Sequence, residues 1–249
     1  MSLPRILTGA VVLAVVAFGA AAAGWWFFIR DDAELATNSR VIDDTLRTAI
    51  ATSAAKTTPS AGSTASTSGT GIAFKIIPGQ SQASYFADEK LASLPLPSTA
   101  SGKTKEIAGT FYLTKDGFAL DPSQPSTFTV QLANIKSDKD LRDNRVRNTL
   151  EVTTFPSATF TVSSVSGVDS SLAADQEHTF QLTGMLDLHG VKKEVTWEIK
   201  ARRDGNLMTA LATVKFLYSD FSITPPNIAN FVAVQDAVTL QVQVVAHVG

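Results

Sequence analysis

Three histidines, His178, His189 and His247, and no cysteine bound the metal and nucleophile chemistry open to this 249-residue chain. A helical zinc site needs two histidines four apart in a His-Glu-x-x-His context, and none of the three supplies it. Without cysteine there are no disulfides, thiolate ligands, cysteine nucleophiles or lipoprotein-type acylation. The chain also lacks Gly-x-Ser-x-Gly and any glycine loop for cradling phosphate. His189 stands before Gly190 at a turn, where an imidazole donor serves structure. Asp187, Glu198 and Asp220 are the carboxylates that a glycosidase-like reaction would have to pair, and no spacing brings two of them together. The expectation is no catalysis, no metal and no cofactor. One charged cluster remains. Arg142, Arg145 and Arg147 lie in SDKDLRDNRVRNTL among Asp138, Lys139, Asp140 and Asp143. Guanidinium groups suit a phosphate, but the same residues also read as mutual ion pairs on a solvated surface, which contribute little. A net charge of −2, with both signs interspersed, gives no reason to expect a nucleic acid partner.

The arginines need an element to carry them. Leu141, Val146 and Leu150 recur at helical spacing, and Ser137 with Asp140 resembles a capping box, so a helix is expected from about Asp138 to Leu150. Phe155-Pro156 ends it. Everything else from Ile72 onward reads as strands: Ala73–Ile77, Gln82–Phe86, Ile107–Thr114, Gly117–Leu120, Thr127–Ile135, Ala158–Val165, His178–Leu188, Glu194–Arg202, Leu207–Tyr218 and Ala237–Ala246. Asp116-Gly117 and Asp204-Gly205 are turn sites. Phe180, Leu182, Gly184, Leu186 and Leu188 share one side of the seventh segment; after His189-Gly190, Val195, Trp197 and Ile199 resume the alternation. So many antiparallel strands must resolve their unpaired edges by closing into a barrel or pairing two sheets.

The amino-terminal part has a different character. Ile6 to Ile29 contains no charged residue, and at ~1.5 Å per residue a helix of that length crosses a hydrocarbon core of ~30 Å. Trp25, Trp26, Phe27 and Phe28 form an aromatic belt at its exit. Residues 1–30 therefore read as a transmembrane anchor with the amino terminus in the cytoplasm and the bulk exported. The Ala20–Ala23 stretch also offers a signal-peptide cleavage site, which would release a secreted domain. Residues 31–71 read as a juxtamembrane helix between Asp32 and Ala55, followed by the Ser/Thr/Gly-rich stretch Thr57–Gly71 acting as a flexible tether. Residues 72–249 form the globular domain.

Four groups of residues in this domain resemble the YceI-like family. They are Ile107-Ala108-Gly109-Thr110-Phe111; Asn134, Arg142-Asp143, Phe155-Pro156 and Ala158-Thr159-Phe160; Leu182-Thr183-Gly184, Leu186, Leu188-His189-Gly190-Val191 and Val195; and Phe216, Tyr218, Asp220-Phe221, Ile223, Pro225-Pro226, Phe231-Val232, Val234 and Asp236. The chain departs from the family's common form at Arg145-Val146-Arg147 and Leu150-Glu151-Val152. The resemblance implies an all-β, extended antiparallel eight-stranded lipocalin-like barrel with one covering helix and an elongated pore for an isoprenoid, quinone or other long-chain lipid. Phe128, Val130, Phe160, Phe180, Leu182, Trp197, Phe216 and Tyr218 are the expected pocket wall, with Arg142, Arg145 and Arg147 nearest for a headgroup. Alternation alone does not separate a lined cavity from a close-packed core, so a β-rich envelope domain acting by protein contact stays as the other reading.

Overall fold

The computed structural model describes residues 33–56, 71–91, 98–115, 117, 119–168, 176–228 and 232–249. The expected membrane anchor and nearly all of the Thr57–Gly71 stretch lie outside these residues. Among those described, no helix is long and apolar enough to cross a membrane.

The strands are β1 (Ile72–Ile76), β2 (Gln82–Leu91), β3 (Ser98–Thr104), β4 (Ile107–Leu113), β5 (Thr127–Gln131), β6 (Ser157–Ser166), β7 (His178–Leu188), β8 (Val191–Asp204), β9 (Leu207–Leu217), β10 (Asn227–Ile228) and β11 (Val232–Val248). All the pairings are antiparallel, in the order β1-β4-β5-β6-β7-β8-β9-β11, and β1 pairs back onto β11 through Phe74 and Val248. That last pairing closes the barrel and removes its edges. β2 continues β1 along the same side of β11, and β3 runs on into β4, so the circuit holds eight long strands. The β7–β8 hairpin turns at His189-Gly190, both with positive φ. A β-bulge at Ser163 shifts β6 by one residue, so its inward face passes from Phe160 and Val162 to Val165.

Two expectations about strands are corrected. Gly117–Leu120 is no strand: Leu113 and Leu120 form an isolated bridge around a turn in which Thr114 and Ala119 bond. The segment expected as Thr127–Ile135 ends at Gln131, because Leu132 and Ile135 close a turn toward the helix. β3 was not foreseen.

One helix, spanning Ala33–Lys56 with its extended lead-in, lies on the outside of the barrel. Its helical part, α1, covers Asp44–Lys56. The lead-in crosses β3, β11, β9 and β8. Ala36 exchanges hydrogen bonds with the Gln241 amide at 2.8 and 2.9 Å, Lys200 donates to the Thr37 carbonyl, and the fully buried Thr209 hydroxyl donates to Arg40 at 2.6 Å. Ile42 and Leu46 then bury against Ile77 and the outward Val245. The segment before β1 is thus fastened to the domain it precedes.

The second helix, α2 (Asp140–Thr149), sits over one end of the barrel. Its N-cap is Lys139, without a side-chain cap, so the expected Ser137–Asp140 box does not form. Ser137 instead donates both its backbone N–H and its hydroxyl to Asp143 at 2.7 Å. Asp143 is only 2% exposed, and Lys136 Nζ lies 3.3 Å from it.

Candidate functional site: an apolar cavity along the barrel axis

Inside the barrel is a cavity of about 620 Å³. Its existence follows from what the inward positions carry. Core strands normally fill such positions with interdigitating side chains, yet Ala201 on β8 faces Ala210 on β9, and Ile199 faces Ala212. Small side chains meet where large ones would be needed to close the space. Gly102 on β3 makes a similar concession: a side chain there would collide with the Tyr85 ring, which occupies the room instead.

The eight residues expected on the pocket wall all line this cavity. Phe128 and Val130 come from β5, Phe160 from β6, Phe180 and Leu182 from β7, Trp197 from β8 and Phe216 from β9, with Tyr218 beginning a 3-10 turn (Tyr218–Phe221). Phe160 meets Trp197 edge-on with centroids 5.8 Å apart, and Phe216 meets Phe221 in the same manner at 4.8 Å. Edge-to-face pairs of this kind hold rings at fixed angles, which keeps the wall rigid.

The expected headgroup arginines fall elsewhere. Arg142, Arg145 and Arg147 do not line the cavity; Val146, Thr149 and Leu150 do, from the other side of α2. Arg142 is ion-paired with Asp138 and lies 3.8 Å from Glu89, while Arg147 donates to Asn144. Arg145 is exposed. The helix turns its apolar residues into the barrel, as burial dictates, and its charges out.

The two ends of the cavity differ chemically. At the α2 end the polar groups facing it include the phenols of Tyr85 and Tyr218. Burial pushes the Tyr218 hydroxyl up to about 12 and that of Tyr85 higher still, despite the opposing field of Arg142, so both stay protonated donors. At the other end, near the Asp204–Gly205 turn, the wall includes His178 and Arg203. They were not among the expected site residues, although the signal was present. His178 continues the inward set Phe180 and Leu182, and Arg203 continues Trp197, Ile199 and Ala201. No aspartate or glutamate lines the cavity among the described residues.

The candidates for other chemistry are used structurally. His189 Nδ1 lies 3.3 Å from the Phe221 carbonyl, and its ring packs on Phe155 at 4.7 Å. Asp220 is held by Lys193 and by the Leu217 N–H, which keep its carboxyl below the usual range, and Asp187 lies 3.8 Å from Lys192. Among the described residues no three of His, Asp and Glu gather as a metal would require.

Comparison with known proteins agrees with this architecture. A polyisoprenoid binding domain from Saccharophagus degradans, implicated in plant cell wall breakdown, superposes with a TM-score of 0.56 at 17% identity, covering 72% of this chain and 99% of that one. BcnA of Burkholderia cenocepacia superposes with a TM-score of 0.50 at 17% identity, covering 68% and 98%. At such identities the likeness is one of fold. A search among curated proteins found no match. The YceI-like domain itself matches residues 74–246, from within the closing strand β1 to near the end of β11, and the chain therefore belongs to the YceI-like family.

Proposed function

We propose that this protein is an extracytoplasmic binding protein, tethered to the membrane by residues 1–30, that holds an isoprenoid, quinone or other long-chain lipid in its barrel. The observation that carries the reading is the cavity: apolar over most of its wall, enclosed by the strands of the barrel with α2 at one end, and free of described carboxylates. A structurally similar protein is a polyisoprenoid binding domain, which supports the same ligand class here. A filled-core domain working only through surface contact has no use for 620 Å³ of empty apolar space, which forgoes wall contacts and so costs stability. The membrane tether rests on the uncharged run Ile6–Ile29.

Binding follows from transfer of the chain out of water. Each methylene contributes ~0.8 kcal/mol, so one isoprene unit contributes about 4 kcal/mol before its torsions are ordered. At about 30 Å³ per water-sized group, the cavity accommodates on the order of 20 carbons, or about four isoprene units. The test is a series of prenyl alcohols of increasing length, with dissociation constants measured by competition against a fluorescent lipid. Affinity is expected to rise about tenfold per unit as far as about C20 and then level off. Affinity that ignores chain length would sink the proposal.

A further inference from the structure

The cavity's charge is one-sided, and its polarity specifies more than a chain. Among the described residues, Arg202 and Arg203 are the arginine, lysine or carboxylate positions on its wall, and both stand at the end away from α2. Arg202 is directed outward by strand alternation and lies 3.6 Å from Glu177. Arg203 shares the inward face with Trp197, Ile199 and Ala201. Its Nε donates to the Gly205 carbonyl at 3.2 Å, and its guanidinium carbon lies 5.1 Å from the centre of the buried Phe74 ring. Gly117, with φ at 78°, leaves space for Nη1 where a side chain would collide with it.

The carboxylates nearest in sequence are engaged elsewhere. Glu177 accepts from the Ser39 N–H and hydroxyl at 2.7 and 2.6 Å, and Asp204 is ion-paired with Arg47 of α1. The segment outside the barrel thus holds the acids on the outer surface, and no described carboxylate pairs with Arg203. His178 stands opposite Ala201 on the same inward face, one inward step along β8 from Arg203, and adds an imidazole to the same end. Among the described residues, no such charge lines the α2 end. Its phenols are neutral, and Arg142 beside them faces Asp138 and Glu89.

We propose that the end of the cavity lined by Arg203 and His178 is a subsite for an anionic headgroup, a carboxylate or a phosphate, with the ligand's chain running toward α2. This rests on the lipid-holding reading above and narrows it from long-chain lipids in general to acidic amphiphiles. The Arg203 guanidinium is half-buried at the end of the cavity, and a ligand that brings an anion there makes charge-assisted hydrogen bonds that a neutral head of equal length cannot make.

The test uses the full-length protein and three ligands of matched chain: geranylgeraniol, geranylgeranyl monophosphate and geranylgeranoic acid. The two acids are expected to bind at least about tenfold more tightly than the alcohol, the size of one charge-assisted bond, and the ratio between them tells phosphate from carboxylate. Arg203→Gln should erase that preference, bringing both acids down to the affinity of the alcohol for the same variant. Arg203→Lys, with its fold checked by circular dichroism, should keep a reduced preference, and Arg142→Gln should leave it whole. Equal binding of all three by the unaltered protein, or a preference that survives Arg203→Gln, would overturn the subsite while leaving lipid binding intact. Failure of all three ligands, the alcohol included, would instead remove the lipid-holding reading and the subsite together.

Discussion

Ala212→Phe should loosen the ligand and tighten the protein. Ala212 lies midway along β9, pairs with Ile199 on β8 and Val242 on β11, and faces the cavity. A phenyl ring built there projects into empty space and occupies volume taken by about six ligand carbons, so at ~0.8 kcal/mol each the ligand forfeits on the order of 5 kcal/mol of transfer free energy. Roughly two-thirds returns because those carbons no longer need ordering, which leaves a net loss of ~1.6 kcal/mol, or about 15-fold in Kd for a C20 alcohol. The free protein gains contacts where its wall had none, worth ~1 kcal/mol and a rise in Tm of about 2–4 °C. Competition binding and calorimetry on the same preparation read both effects. Opposite signs are the signature of a ligand cavity. A variant that is destabilised would show that the barrel collapses in solution, and one that binds normally would show that the ligand lies elsewhere; either result refutes the reasoning.

Asp143 ties α2 to the turn before it, and its pKa gives the domain an acid-sensitive latch. Burial raises it, but the Ser137 donors and Lys136 outweigh burial and hold it below the ordinary value. A lowered folded-state pKa contributes stability that is present above the unfolded value of about 4 and is lost as pH falls through the folded one. Asp143→Asn should therefore cost ~2 kcal/mol at neutral pH and flatten the stability profile below about pH 4, as read by urea melts across pH. Glu177→Ala removes the acceptor that fastens Ser39, and should expose residues 33–43 to protease and to hydrogen exchange several-fold faster while the barrel melts within a few degrees of the parent. Unchanged protection there would mean that Gln241 and Thr209 hold the segment unaided.

The sequence disclosed some parts of this molecule far better than others, for physical reasons. His178–Leu188 carries large apolar residues every second position and ends at His189-Gly190, where the left-handed backbone of a tight turn was readable; the strand has those bounds. β3, STASGKT, has no large side chain to show an alternation, though Ser98, Ala100, Gly102 and Thr104 do alternate as its buried face. Its place is fixed by pairing with β2, from Ala83 opposite Thr104 to Glu89 opposite Ser98, and pairing of that kind is nonlocal. The wall residues were legible because inward and aromatic coincide in β5 to β9. Arg203 is less legible as a wall residue than the arginines of α2, because a cluster on a helix is conspicuous whereas Arg203 is a single residue at the end of a strand. Strand parity was the better guide. The docking of residues 33–50 was hidden for a similar reason: Ser39, Thr209 and Gln241 are ordinary polar residues until the fold brings them together.

The account depends most on the barrel being occupied by a lipid, and native mass spectrometry of the full-length protein, gently purified from the cells that produced it, tests this most directly. The protein should carry a hydrophobic adduct that is lost on organic extraction, is recovered in the extract as a chain of about 20 carbons or more, and is depleted in Ala212→Phe. A folded protein of bare mass in repeated preparations, with nothing hydrophobic in the extract, would contradict it.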